Sequence, residues 1–254
     1  MLDFARKLSP VSMLHYGAWR IMKSDRPIRI SMRIGARFEL TCNGSSNNDY
    51  GVAYEIFVHE FYKDDGVLLP KDTRLVVDLG ANVGLSTLYF LHKYPSCRAI
   101  AYEPHPAYAA QARRNLSLDG TGHRVEFHQK AAGATDRTMY LTDLGAGSAL
   151  TETASPAAIP VEAEDIFPCL LGRQIDILKM DIEGGEYEIL ADPRFEQLNL
   201  GAVVMEWHSR GGAQEDRRWC EQRLRRMGLT ISEIFTNKDY GMFWAVPDAV
   251  TGES

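Results

Sequence analysis

The 254-residue chain has few cysteines, and the four it has are scattered. Its cysteines, Cys42, Cys97, Cys169 and Cys220, form no CxxC pair, which argues against a disulfide framework or a cysteine zinc site. No segment approaches the roughly 18–20 consecutive apolar residues that span a bilayer. The N-terminal stretch MLDFARKLSPVSMLHYGAWRIMKSD is interrupted by charges and by Pro10, and lacks the apolar centre of a signal peptide. Positive charge is in the minority, with 28 Lys and Arg against 34 Asp and Glu, a net charge of −6. That balance argues against nucleic acid as a partner. The basic residues Arg217, Arg218, Arg223, Arg225 and Arg226 read as the solvated face of a helix. Two phosphate-binding signatures are also missing. The dinucleotide loop G-x-G-x-x-G would need Gly at 82 and 85, where Asn82 and Leu85 stand, and no Walker lysine motif occurs. A soluble cytoplasmic protein is expected. Its first helix is left open as a homodimer face or a weak membrane-surface contact.

What is present is a rhythm. Residues 27–41 alternate as two short strands turning at Gly35, and residues 42–49 have loop composition. Residues 50–66 read as a helix, with Ala53, Ile56, Phe57, Glu60 and Phe61 near one face and Gly66 as its stop. From Arg74 strands and helices alternate. Strands are expected at 75–79, 98–102, 125–129, 175–180 and 202–207. Helices are expected at 83–93, 106–118, after Glu186 and at 214–227. Extended pieces at 138–142 and 159–162 flank a loop of mobile composition at 145–158, and a hairpin, 229–235 with 240–246, closes the chain. Such alternation predicts a mostly parallel α/β sheet with helices on both faces and an antiparallel strand from the hairpin. The expected division is an N-terminal extension and cap over 1–70, a domain over 71–248, and a tail.

The stretch VVDLGANVGLS, Val76 to Ser86, is where ligand chemistry concentrates. Gly80 permits a tight turn, and Gly84 lets the following helix lie close to the strand. About twenty residues later the next strand ends at Glu103, where a carboxylate can accept both hydroxyls of a ribose. Glycine loop plus later acid indicates a cofactor containing a nucleoside. Asp78, two residues before Gly80, would repel a pyrophosphate but suits a ligand with an ammonium group. S-adenosylmethionine has both features.

The segments VVDLGANVGLSTLYF, AYEPHPAYAAQARRNL, IDILKMDIEGGEYEIL and VVMEWH, in that order, resemble the FkbM family of S-adenosylmethionine-dependent methyltransferases. The resemblance covers about residues 49–244. It implies the Rossmann-like seven-stranded sheet of order 3-2-1-4-5-7-6, with the last strand antiparallel. It also implies O-methylation of a hydroxyl on a small molecule or glycan. By position, Asp78, Gly80, Asn82 and Gly84 would line the methionyl part, and Ser86 would donate to its carboxylate. Glu103 would take the ribose, with Pro104 shaping the turn beside it. Gln129, Lys130 and Ala131 would lie near the adenine.

The fourth and fifth strands of that sheet end in KMDIEGGE and MEWHSR. At strand spacing Lys179, Asp181 and Glu183 share one side, and so do Glu206 and His208. Two mechanisms fit. His208 accepts the hydroxyl proton with Asp181 or Glu206 orienting it, or Asp181, Glu183 and Glu206 hold a divalent ion that acidifies the acceptor. The acceptor pocket is expected to draw on Tyr50, Tyr54, His59, the loop around Ser148, Glu183 and Trp207. Two rival readings are carried. One is a degenerate cofactor- or glycan-binding module. The other is a nicotinamide oxidoreductase, whose Tyr-x-x-x-Lys pair could only be Tyr89 and Lys93.

Overall fold

The computed structural model describes residues 2–22, 27–40, 49–63, 69, 72–142 and 149–247. Ser148, the helix stop at Gly66 and the tail lie outside these residues. Numbering only the central sheet, β1 is Leu75–Leu79, β2 Arg98–Tyr102, β3 Val125–His128, β4 Ile177–Met180, β5 Val203–His208, β6 Leu229–Thr236 and β7 Tyr240–Pro247. The strands run β3-β2-β1-β4-β5-β7-β6, parallel except for β7, which is antiparallel to both its neighbours. This is the order the resemblance implies.

The strands are apolar on both sides because both faces are covered. Val76, Ile177, Val204 and Trp244 belong to one core, and Val77, Leu178, Met205 and Phe243 to the other. The N-terminal segment packs on the first face. Its helices Leu2–Lys7 and Pro10–Met22, its hairpin Ile28–Ser31 with Arg37–Leu40, and helix Asp49–Phe57 bring Phe4, Leu8, Phe38 and Phe57 into the same core as Val76. Among the described residues no helix is long and apolar enough to cross a membrane.

Three local expectations shift. The helix from Asp49 ends at Phe57, because the Tyr54 carbonyl accepts from both Val58 and His59 (2.9 and 3.0 Å) and the chain then reverses through Glu60 at φ 54°. The first core helix begins at Leu85 rather than Val83, since Gly84 is left-handed at φ 84°. The extended pieces after β3 form a sheet of their own. Ala131–Gly133, Ile159–Asp165, Arg137–Thr142 and Ala149–Thr151 pair in that spatial order, so part of the expected mobile loop is a strand.

At the centre of the main sheet a lysine and an aspartate face each other. Lys179 of β4 and Asp78 of β1 are register partners, 2% and 0% exposed, with Nζ 3.2 Å from Oδ1. The other carboxylate oxygen accepts from the hydroxyls of Ser86 (2.7 Å) and Thr87 (2.6 Å). Burial opposes the charge on Lys179, but Asp78, Tyr62 and Asp181 together outweigh it and hold the pKa above the usual lysine value. Removing one member leaves an uncompensated buried charge, which costs about 3–5 kcal/mol. Lys179→Met should therefore lower unfolding free energy by about that amount in urea titrations. The double variant Lys179→Met with Asp78→Asn should recover most of the loss.

Candidate active site

The carboxyl ends of β1, β2 and β4 enclose a cleft lined by Gly80, Asn82, Glu103, Pro104, Ala131 and Asp181, among others. Leu141 and Leu150 of the four-stranded sheet form part of its wall, and its volume is about 100 Å³. Gly80 is required twice. Its φ is 84°, and a Cβ there would lie 1.8 Å from the Asp181 carbonyl oxygen. Gly84 also serves a close approach, since a Cβ there would lie 3.2 Å from Ala112 of helix Pro106–Asp119 rather than against a strand. The amides of the loop are mostly spent internally. Gly80 and Ala81 donate to the Tyr102 carbonyl (3.0 and 2.8 Å), and Asn82 donates to Glu103. The loop thus contributes shape more than donors.

Glu103 is buried at the floor of the cleft. One oxygen accepts from the Asn82 amide (2.9 Å), the other from the His105 amide (2.8 Å). Each oxygen retains a lone pair for a second donor. Burial raises its pKa to about 7, against the lowering effect of the two amides. His105, unassigned from sequence, caps helix Pro106–Asp119 by accepting from Ala107 (3.1 Å), and its ring stacks on Tyr108 at 4.0 Å. Both rings line the cleft.

Asp78 departs from expectation. It is fully buried, engaged by Lys179, Ser86 and Thr87, and does not line the cleft. Its acid braces the sheet rather than facing the cleft. Ser86 spends its hydroxyl on Asp78 for the same reason, although it borders the neighbouring cavity. Lys130 turns away from the cleft and pairs with Glu164 at 3.0 Å, while Gln129 is exposed. Of the adenine-side residues only Ala131 lines the cleft.

Gly80, Asn82, Asp181 and Glu183 also border a second cavity of about 330 Å³, so the two spaces meet at these residues. Asn82 and Glu183 are left-handed at φ 50° and 53°. Asn tolerates this, but for Glu it is strain, and strain of this kind gathers at functional sites. Around the junction stands an acid cluster. His208 Nε2 lies 3.4 Å from Glu183 and 3.5 Å from Glu206, and its Nδ1 lies 3.3 Å from Glu186. Lys179 Nζ is 3.7 Å from Asp181.

Glu186 was not singled out from sequence. Its buried carboxylate accepts from the Ile182 and Gly184 amides (3.0 and 2.8 Å) and holds the imidazole. The signal available was a second acid at the start of a short helix. Burial opposes a charge on His208, but its contacts with Glu186 and Glu206 prevail and push its pKa up to about 11. These neighbours thus favour the imidazolium over the free imidazole that the expected base would need. Burial, with Asp181 adding to it, raises Glu206 to about 7, and burial raises Glu183 to about 7.

The acceptor-side residues divide. On helix Asp49–Phe57, Val52, Glu55 and Ile56 face the second cavity. Tyr50 and Tyr54 lie on another face, with ring centroids 5.1 and 6.4 Å from Phe4, and so pack the N-terminal helix rather than the pocket. Trp207 alternates with Glu206 and His208 and points into the opposite core, 1% exposed. Tyr89 is buried in the core, with the Lys93 ammonium 5.5 Å from its ring centre, and neither lines the cleft. The pair the oxidoreductase reading needed is absent from the site.

Three carboxylates and one imidazole with raised pKa values all hold protons more tightly in the folded chain than in the unfolded one. Glu103, Glu183 and Glu206 contribute stability that is lost as pH rises through about 7, and His208 stability that is lost as pH rises from 6.5 towards 11. The ligand-free protein should therefore melt at progressively lower temperature between about pH 5 and 8. Glu103→Gln should flatten that slope in differential scanning calorimetry.

A family model described as the methyltransferase FkbM domain matches residues 78–238. Methyltransferase sdnD of Sordaria araneosa is 30% identical over 195 residues, covering 62% of this chain and 74% of that protein. Methyltransferase 1 of Beauveria bassiana is 28% identical over 162 residues, covering 54% of this chain and 64% of that protein. The solved methyltransferase FkbM of Methylobacillus flagellatus overlays 77% of this chain and 53% of its own, with 14% identity and a TM-score of 0.49, too loose to add to the strand order. The motif order and the matched domain agree, and the chain belongs to the FkbM methyltransferase family.

Proposed function

We propose that the chain is an S-adenosylmethionine-dependent O-methyltransferase acting on a hydroxyl of a small molecule or glycan. The observation that carries this reading is the junction itself. A cleft with a ribose-type carboxylate opens at Gly80, Asn82, Asp181 and Glu183 onto a cavity walled by acids. Glu103 would hold the ribose hydroxyls, and the Gly80 turn would let the sulfur end approach Asp181. When bound, S-adenosylmethionine supplies an electrophilic methyl on a sulfonium. The chain's own tasks are to align the acceptor and remove its proton.

Glu206 is the proton acceptor in this reading. It faces the cavities on the acceptor side, and a pKa of about 7 suits a base working near neutrality. His208, held as imidazolium by Glu183 and Glu186, positions Glu206. Lys179 fixes the turn by donating to the Leu79 and Gly80 carbonyls. The N-terminal segment caps the acceptor side through helix Asp49–Phe57.

A second reading has one specific observation behind it. Ligand atoms of Asp181, Glu206 and His208 lie within 4.8 Å of one another, a set that could hold a divalent ion. This differs from the sequence-derived set by His208 in place of Glu183. Such an ion would polarise the acceptor oxygen and would compete with the His208 proton.

The two readings separate in one experiment. With EDTA present, turnover should rise with pH and level off above about 7 as Glu206 ionises. Glu206→Gln should lower turnover by roughly 10²–10⁴-fold and abolish that rise. Turnover lost in EDTA and restored by Mg²⁺ would favour the metal reading instead.

A further inference from the structure

The second cavity continues outward into a third space of about 500 Å³, lined by Glu55, His59, Phe61, Glu206, Phe235 and Tyr240 among others. Glu55, Phe61, Glu206 and Tyr240 border both, so the path from the junction to the surface is continuous. Its charge is one-sided. Glu55 and Glu206 stand on the outer part, and Asp181 and Glu183 on the inner. The basic side chains facing the inner part are already engaged, Lys179 with Asp78 and His208 with Glu183 and Glu186. No arginine borders either space among the described residues. Glu55 is exposed to the cavity, and burial and Asp181 raise its pKa while the nearby His59 favours its ionised form.

Much of the remaining lining is aromatic. Ring centroids run from His59 to Phe61 at 5.6 Å, to Phe235 at 5.0 Å and to Tyr240 at 5.8 Å. A β-bulge between Glu233 and Phe235 breaks the β6–β7 register here, the kind of irregularity that re-aims side chains towards a site. An organic ammonium gains from both kinds of lining, through charge-assisted hydrogen bonds to a carboxylate and attraction to ring faces. A phosphate or carboxylate would meet like charge, and among the described residues that line the outer space His59 is the one basic group that could receive it.

We propose that the methyl acceptor is a hydroxyl compound carrying an amino group protonated at neutral pH, held by Glu55 against the wall of Phe61, Phe235 and Tyr240. Phosphorylated and carboxylated acceptors, sugar nucleotides included, are rejected. The proposal rests on the reading of this cavity as the acceptor side of a methyltransferase.

A matched set of phenols tests it: tyramine, neutral tyrosol and anionic 3-(4-hydroxyphenyl)propionate. Binding is measured by ligand-observed NMR in EDTA, with and without S-adenosylhomocysteine. Tyramine should bind roughly tenfold tighter than tyrosol, and the propionate weakest. Glu55→Gln should erase most of the tyramine preference without changing affinity for S-adenosylhomocysteine, and Glu55→Lys should invert the order. Equal binding of the three, binding of none, preference for the anion, or a preference untouched by Glu55→Gln overturns the proposal. A preference that appears only with Mg²⁺ assigns the acids to a metal and overturns it too. Absence of S-adenosylhomocysteine binding would sink the methyl-transfer reading, while the amine preference would still be measured in its own arm.

Discussion

The buried pair of Lys179 and Asp78 is the constraint on which the site depends. It lies where β1 and β4 are hydrogen-bonded neighbours, and it ties the two strand ends whose loops build the cleft. Its reach goes past the two charges. Lys179 also donates to the Leu79 carbonyl (3.3 Å) and to that of Gly80, so the ammonium holds the glycine turn from beneath. Asp78 in turn anchors the first helix through Ser86 and Thr87. Strand, turn and helix are fixed by one ionic centre. Each added hydrogen bond offsets part of the desolvation that such a pair incurs.

That arrangement explains where negative charge can collect. With Asp78 neutralised inside the sheet, the carboxylates that face open space are those just beyond the strand ends. Asp181 follows β4, and Glu206 lies near the end of β5. Glu183 is brought in by a left-handed turn, and Glu186 by the helix after it. His208 sits among three of them and keeps its proton. The cluster is thus a reservoir of basicity whose weakest proton hold lies on the carboxylates. This is why the proposed mechanism gives the role of base to Glu206 rather than to the imidazole.

Much of the fold could be read from the sequence because it is written in apolar strand runs and helix periodicity. The strand order follows from the family motifs, and the positions of Glu103, Gly80 and Asn82 follow from a loop whose geometry is local. What could not be read depends on long-range packing. Asp78 looks like a ligand-facing acid until β4 brings Lys179 to its register position. Trp207 sits between two polar residues of the site, and only the alternation of β5 sends it to the opposite core. Tyr50 and Tyr54 share a helix with Glu55, and it is Phe4, far away in sequence, that claims their face. Glu186 was hidden because an acid at a helix start has an ordinary explanation, and its role shows only when His208 arrives from β5.

Calorimetric titration with S-adenosylhomocysteine near pH 7, repeated in two buffers of different ionisation heat, tests the central claim most directly. A ribose seated on Glu103 should favour its ionised form, whose pKa is otherwise about 7. Binding should therefore release a fraction of a proton, and Glu103→Gln should abolish that release and weaken the complex. Binding with no proton exchange, or exchange that survives Glu103→Gln, would contradict the placement of the ribose. No binding at all would contradict the cofactor assignment.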